Sequence, residues 1–285
     1  MLFGSSSPSG RSPLWWRLIP IAIGLAVVGW QYLGAPAYTN PETGRTARLG
    51  LSADQETAIG LQGFHKVTVQ SRVISSGPAY DQVMRVSKRL AAAIGNDEHF
   101  DWQVAVLESP EQNAFCLPGG KMCVYTGILP ITRSDAGLAV VLGHEMAHAT
   151  CHHGAERVLH QNLTQTAMLG LQGSLGDLDY GQQRALMGLI GAGAQYGVLL
   201  PFSRSHESEA DHLGLKYMVR AGYDPEEAAK FWTRMAESTT GKGTPEFMST
   251  HPLHETRIRQ IQEWIPEVVA SEHPHHLEES TTSLR

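Results

Sequence analysis

Within VVLGHEMAHATCHH, His144 and His148 stand four residues apart, with Glu145 beside the first. Four residues make about one helical turn, so on a helix both imidazoles leave from one face and can reach a single metal ion. A neighbouring carboxylate can then take a proton from water held at that ion. This HExxH pattern points to metal-assisted hydrolysis. With 14 histidines in the chain, the pattern also arises by chance in roughly a few per cent of such sequences, so the chemistry needs a third ligand and a frame.

A catalytic zinc takes three protein ligands and leaves one position open. The candidates downstream are Glu156, His206, Glu207, Glu209, Asp211 and His212. Glu207 and Asp211 lie one turn apart in SRSHESEADHLGLKYMVRAG, a segment of helical pattern. One of these carboxylates can therefore bind a metal while the other holds a ligand histidine from behind. A third ligand on a glycine turn just after His148 fails on spacing, since Cys151 stands at the turn position and Gly154 comes too late. His152 and His153 read as supports behind the ligands or as surface residues, because three ligands in one helical row cannot converge on a tetrahedral ion.

The surrounding pattern supplies a frame. Phe100 to Leu107 alternates as a strand, and Asn113 to Phe115 and Met122 to Tyr125 read as two more, with Pro118-Gly119-Gly120 as punctuation. A small antiparallel sheet is thus predicted just before the metal helix. That helix is predicted to start at Ser134 or Asp135 and to run past Leu138, Val141, Leu142 and Met146 to Thr150 or beyond. Ser52 and Gln55 form a capping box for an earlier helix, and residues 80–95 carry one apolar stripe through Val83, Val86, Leu90, Ala91 and Ile94. The glycine-rich stretch 185–200 reads as a buried helix beside the metal helix in preference to a second membrane span. Gly222 ends the SRSHESEAD helix, Asp224-Pro225 opens another, and a last helix follows His251-Pro252 through Ile258, Ile261 and Trp264. The fold class expected is α+β, mainly helical. If Asn113-Ala114-Phe115 is a sheet edge at the cleft, an extended polypeptide can add to it by main-chain hydrogen bonds.

A chain of 285 residues with 42% hydrophobic content can bury one substantial core. A net charge of −6 without a long basic run argues against nucleic acid as a partner. No charge occurs from Leu18 to Tyr38, and Trp15, Trp16, Trp30 and Tyr32 flank the run as membrane-interface aromatics do. The expectation is an N-terminal membrane anchor over residues 1–37, in preference to a signal peptide cleaved at Ala35-Pro36-Ala37. A linker over 38–51, a zinc metallopeptidase domain over 52–269 and a polar, disordered tail over 270–285 follow. The tail holds His273, His275 and His276. Of the three cysteines, Cys116 and Cys123 read as small apolar residues in a sheet more readily than as a disulfide.

HEMAH, SRSHESEAD, NAFCLPGGKMCVYTG and the later His251-Pro252-x4-Arg257 run together resemble the membrane-associated gluzincin endopeptidases, a family that includes the CAAX prenyl proteases, HtpX-type heat-shock proteases and Oma-type proteases. The resemblance covers most of residues 50–265. It implies one zinc ion on His144, His148 and Glu207, with Glu145 as general base and Asp211 behind the ligands. It also implies a zincin-like helical domain with a small sheet beside the active-site helix. A single hydrophobic signal places the likeness nearest the exported bacterial Oma-like branch. The expected location is therefore the bacterial cell envelope, with the catalytic domain in the periplasm, and the expected role is quality control of misfolded or damaged envelope proteins. For the oxyanion, His251 is the first candidate donor and Tyr196 the second. His251 has a rival role as an inhibitory fourth ligand on a loop over the metal, with Arg257 anchoring that loop to Glu209 or Asp211. A second function class is a catalytically quiet zinc-bound chaperone or peptide-binding protein using the same cleft. Glu145 argues against it, since a closed structural zinc site needs no base.

Overall fold

The computed structural model describes residues 14–95, 100–175, 179–194, 200–238, 245–252 and 256–272. In chain order these form α1 (Leu14–Gly34), β1 (Ala37–Thr39), β2 (Thr46–Arg48), α2 (Ala53–Gln70), β3 (Val73–Ile74), α3 (Pro78–Ile94), β4 (Gln103–Leu107), β5 (Ala114–Leu117) and β6 (Lys121–Tyr125). The helices α4 (Leu129–Thr132), α5 (Asp135–Thr150), α6 (His153–Ser174), α7 (Tyr180–Ala194), α8 (Leu200–Arg220), α9 (Glu226–Ser238), α10 (Glu246–Thr250) and α11 (Arg257–Glu272) follow. The fold is mainly helical with small sheets, as the sequence implies.

The HEMAH helix is α5. Ser134 is its cap, accepting from the Gly137 N–H at 3.0 Å, and every residue from Gly137 to Ala147 is buried. A helix apolar on all sides belongs inside a core. The core around it draws Val83, Val86 and Leu90 from α3, Phe231, Trp232 and Met235 from α9, and Ile261, Ile265 and Val268 from α11. Helix α8 crosses α5 where Gly143 and Gly214 meet. A Cβ on Gly214 would stand 2.9 Å from the His144 nitrogen, so only glycine lets the two backbones come this close. That approach sets His144 and His148 against Glu207 and Asp211.

The four-stranded sheet has the order β3-β4-β6-β5. Its central pair, β4 with β6, is parallel, which corrects the expectation of a wholly antiparallel sheet. Gly119 and Gly120, at φ of 70° and 80°, reverse the chain so that β5 and β6 form a hairpin. Strand β6 then slots between β5 and β4 and leaves β5 as an edge. In this register Cys116 faces Met122 and Cys123 faces Phe115, so the two cysteine side chains leave from opposite faces. All three cysteines are free thiols.

Residues 38–51, expected as a linker, hold the β1–β2 hairpin. Its turn is built on Asn40, whose Oδ1 accepts from the N–H groups of Glu42 and Thr43 at 2.8 and 3.1 Å. Tyr38 donates to the Thr150 carbonyl at 3.2 Å, which docks the hairpin on the end of α5.

The expected transmembrane helix is not met: among the described residues no helix is long and apolar enough to cross a membrane. The strongly apolar part of α1 gives way to Trp30, Gln31 and Tyr32 and falls short of the roughly 20 residues a span needs. Helix α1 lies along α6, with Gly24 against Gly170 and Pro20 against Gly173. Helix α7 packs on α6 and keeps Tyr180 and Leu189 exposed, so it is not the buried neighbour of the metal helix that its glycines suggested. Tyr196 and the tail histidines His273, His275 and His276 lie outside the described residues.

Candidate metal centre

Four side chains from three helical segments converge. The Nε2 atoms of His144 and His148 are 3.1 Å apart. Glu207 places Oε2 at 3.3 Å from His144 Nε2 and Oε1 at 3.4 Å from His148 Nε2. His251, at the end of α10, sets Nδ1 at 3.1 Å from His144 Nε2 and 3.1 Å from both Glu207 oxygens. One donor atom from each of these residues lies within 4.8 Å of all the others. Ligands on a tetrahedral zinc, with bonds of about 2.0–2.1 Å, stand roughly 3.3–3.4 Å from one another. The spacing and the donor chemistry, three imidazoles and a carboxylate, fit such an ion.

The two histidines of the HEMAH helix are each held from behind. Asp211 Oδ1 is 2.9 Å from His144 Nδ1. Arg257 grips Asp211 through Nε and Nη2 at 2.6 and 2.7 Å, lies 3.5 Å over the Trp232 ring, and reaches the carbonyls of His251 and Pro252 with Nη1. Of the two anchors expected for Arg257, Asp211 is the one it meets. Behind His148, Nδ1 is 2.8 Å from His153 Nδ1, and His153 Nε2 is 3.0 Å from Glu209 Oε2. Glu209 in turn accepts from Thr43 and Arg45 of the hairpin turn. Arg45 also pairs with Glu156, which meets His206 at 2.9 Å. His212, another candidate ligand, packs edge-on to Trp264 instead.

Glu145 is buried in the same site. Its Oε2 accepts from the Cys116 N–H of β5 at 3.1 Å. Its Oε1 stands 3.1 Å from His251 Nε2 but makes no well-directed hydrogen bond. Burial pulls His148 down to about 4. Burial also opposes charge on His251, yet Glu145 and Glu207 outweigh it and lift that group to about 9. Glu207 would be raised by burial, but bonds from His144, His148 and His251 hold it far below the usual carboxylate range.

The Asn113-Ala114-Phe115 stretch reaches the site as the start of β5. The Tyr125 N–H donates to the Asn113 carbonyl, whereas the Cys116 N–H turns the other way, to Glu145. By strand alternation the N–H and C=O of Ala114 also face away from β6, along the open edge. Phe115 is half-buried against Tyr125, and Asn113 is buried with Oδ1 unpartnered. A cavity of about 180 Å³ opens beside the centre, lined among others by Phe115, Cys116, Glu145, His148, Arg157 and His251. Sequence reasoning missed Thr43 and Arg45, because a turn in a polar stretch carries no signal of a partner more than a hundred residues away.

The chain matches the model of peptidase family M48 over residues 79–265. It is 42% identical over 222 residues to the mitochondrial metalloendopeptidase OMA1 of Schizosaccharomyces pombe, covering 76% of this chain and 63% of that protein. The protein of the same name from Saccharomyces cerevisiae is 32% identical over 250 residues, with 79% and 68% covered. The beta-barrel assembly-enhancing protease of Yersinia pestis is 29% identical over 222 residues, with 76% and 45% covered. The chain thus spans between 45% and 68% of the length of these relatives. These likenesses correct the expectation of a bacterial envelope protein with a periplasmic domain: the more similar relatives are mitochondrial proteins of eukaryotes, and the bacterial one is more distant. With more than half of its length matched, and with His144, Glu145, His148 and Glu207 inside the match, the chain belongs to peptidase family M48.

Proposed function

We propose that this protein is a zinc-dependent endopeptidase acting on unfolded or extended polypeptide, with His144, His148 and Glu207 as the metal ligands. The observation that carries the reading is the convergence of these donors with a buried Glu145 whose Oε1 lacks a directed hydrogen bond. Bound zinc supplies Lewis acidity and lowers the pKa of the water it holds. Glu145 takes a proton from water at Oε1 and returns it to the leaving amine, while the Cys116 N–H fixes its other oxygen. Asp211 fixes the ring of His144. The outward N–H and C=O of Ala114 offer main-chain bonds to an extended substrate, a grip that accepts many sequences and suits quality control of damaged proteins.

His251 fits the role of a fourth ligand better than that of an oxyanion donor. Its Nδ1 sits among the other ligand atoms and its Nε2 meets the base. The resting site is therefore closed, and His251 has to withdraw before a substrate carbonyl can enter. Wild type and Glu145→Gln are compared on casein, with zinc content measured in both. The expectation is equal zinc and a rate lower by about 10²–10⁴ in the variant. Equal cleavage by both overturns the reading.

A further inference from the structure

Resting on the metal site just proposed, we infer that Glu209, His153 and the N-terminal hairpin form a relay that fixes the tautomer of His148 and so makes its Nε2 a metal ligand. His153 Nε2 faces the Glu209 carboxylate at 3.0 Å, and a carboxylate only accepts, so the proton of a neutral His153 sits on Nε2. The Nδ1 of His153 is then a bare acceptor, 2.8 Å from His148 Nδ1. His148 must donate from Nδ1, which leaves the Nε2 lone pair facing His144 and Glu207. The opposite arrangement would put a proton on Nε2, at the centre itself.

The hairpin turn completes the relay. Thr43 donates to Glu209 Oε1 at 2.7 Å and Arg45 donates to Oε2, so both oxygens are oriented. Arg45 spans from Glu209 to Glu156, which meets His206, and the His206 ring stacks on His153 at 4.0 Å with planes 9° apart. This stacking holds the plane of the His153 ring. Cys151, His153 and Glu209 together also have the make-up of a second metal site. Arg45 already satisfies Glu209, and its charge opposes a second cation there. Thr43 and Arg45 lie before residue 79, outside the segment matched by the family model, so this chain supports a ligand of its peptidase core from its own N-terminal hairpin.

Zinc affinity, read by competition with a chromophoric chelator on the full chain, tests the relay. His153→Leu should bind zinc about 10–100-fold more weakly than wild type. His153→Asn places an amide oxygen where Nδ1 stands and should restore most of the affinity. Equal affinities for His153→Leu, His153→Asn and wild type overturn the relay while leaving the metal site standing. Wild type and His144→Ala binding zinc equally well overturns the metal site itself. Should His153→Leu fail to fold, ¹⁵N NMR of the histidine rings in wild type decides. The relay requires the His153 proton on Nε2 and the His148 proton on Nδ1, and a His153 proton on Nδ1 overturns it.

Discussion

Asp211 carries two loads, holding the His144 ring on one side and neutralising Arg257 on the other. Both partners of the ion pair are almost fully buried, so Asp211→Ala takes away the two-bond partner of the guanidinium, leaves it only Glu207 Oε2 at 3.3 Å, and should cost about 3–5 kcal/mol. Urea unfolding of the metal-free protein measures this, and zinc affinity should fall about 10–100-fold in the same variant. Glu156 sets a pH dependence of its own. Burial pushes its carboxyl up, but bonds from His206 and Arg45 outweigh this and bring it to about 2, against 4.5 when free. A carboxyl lowered in the folded state stabilises fully above its unfolded pKa, and that contribution is lost as pH falls through the folded value. Metal-free protein should therefore lose urea resistance between pH 4.5 and about 2, with a shallower decline in Glu156→Gln. An identical slope in the two proteins sinks this account of Glu156. At this scale the sequence was informative wherever partners share a helix. His144 with His148, and Glu207 with Asp211, are legible from spacing alone. The pairing of His153 with Glu209, and of Glu209 with Arg45, arises only when three elements meet.

Among the elements, the crossing of α5 and α8 decides the site, because it brings two helical pairs into one cluster. Gly214→Ala puts a methyl 2.9 Å from the His144 nitrogen and 3.0 Å from the Gly143 carbonyl carbon, both backbone atoms that cannot move aside cheaply. The variant should be destabilised by about 1–3 kcal/mol and should bind zinc more weakly, as read by denaturant unfolding and chelator competition. Unchanged stability and unchanged affinity together show that the crossing distance does not matter. Helices with strong periodicity or caps, such as α3 with its Val83, Val86 and Leu90 stripe and α2 with the Ser52–Gln55 box, were legible in the sequence. The parallel pairing of β4 with β6 was not, since alternation marks a strand without naming its neighbour. The hairpin of β1 and β2 was missed for a related reason: two strands of three residues leave too little pattern to read.

On the scale of the whole molecule, a helical core presents the HEMAH helix to one open sheet edge, and His251 from near the C-terminal end lies across the junction. Helices α1 and α6 stand to one side of that core, pressed together at Gly24 and Gly170. The apolar N-terminal run was visible in the sequence, but its partner was not, because α6 lies more than a hundred residues further along the chain. What the sequence left open about His251 is a question of the assembled molecule, since it turns on whether α10 ends over the metal or beside it. The structure sets His251 Nδ1 at 3.1 Å from both Glu207 oxygens and from His144 Nε2, among the atoms that could hold a metal. The most direct test measures casein cleavage by wild type, His251→Ala and His251→Ala/Glu145→Gln at one zinc per chain. Cleavage by His251→Ala should be faster than by wild type and should be lost in the double variant. Slower cleavage by His251→Ala, or equal rates for the single and double variants, would contradict that expectation.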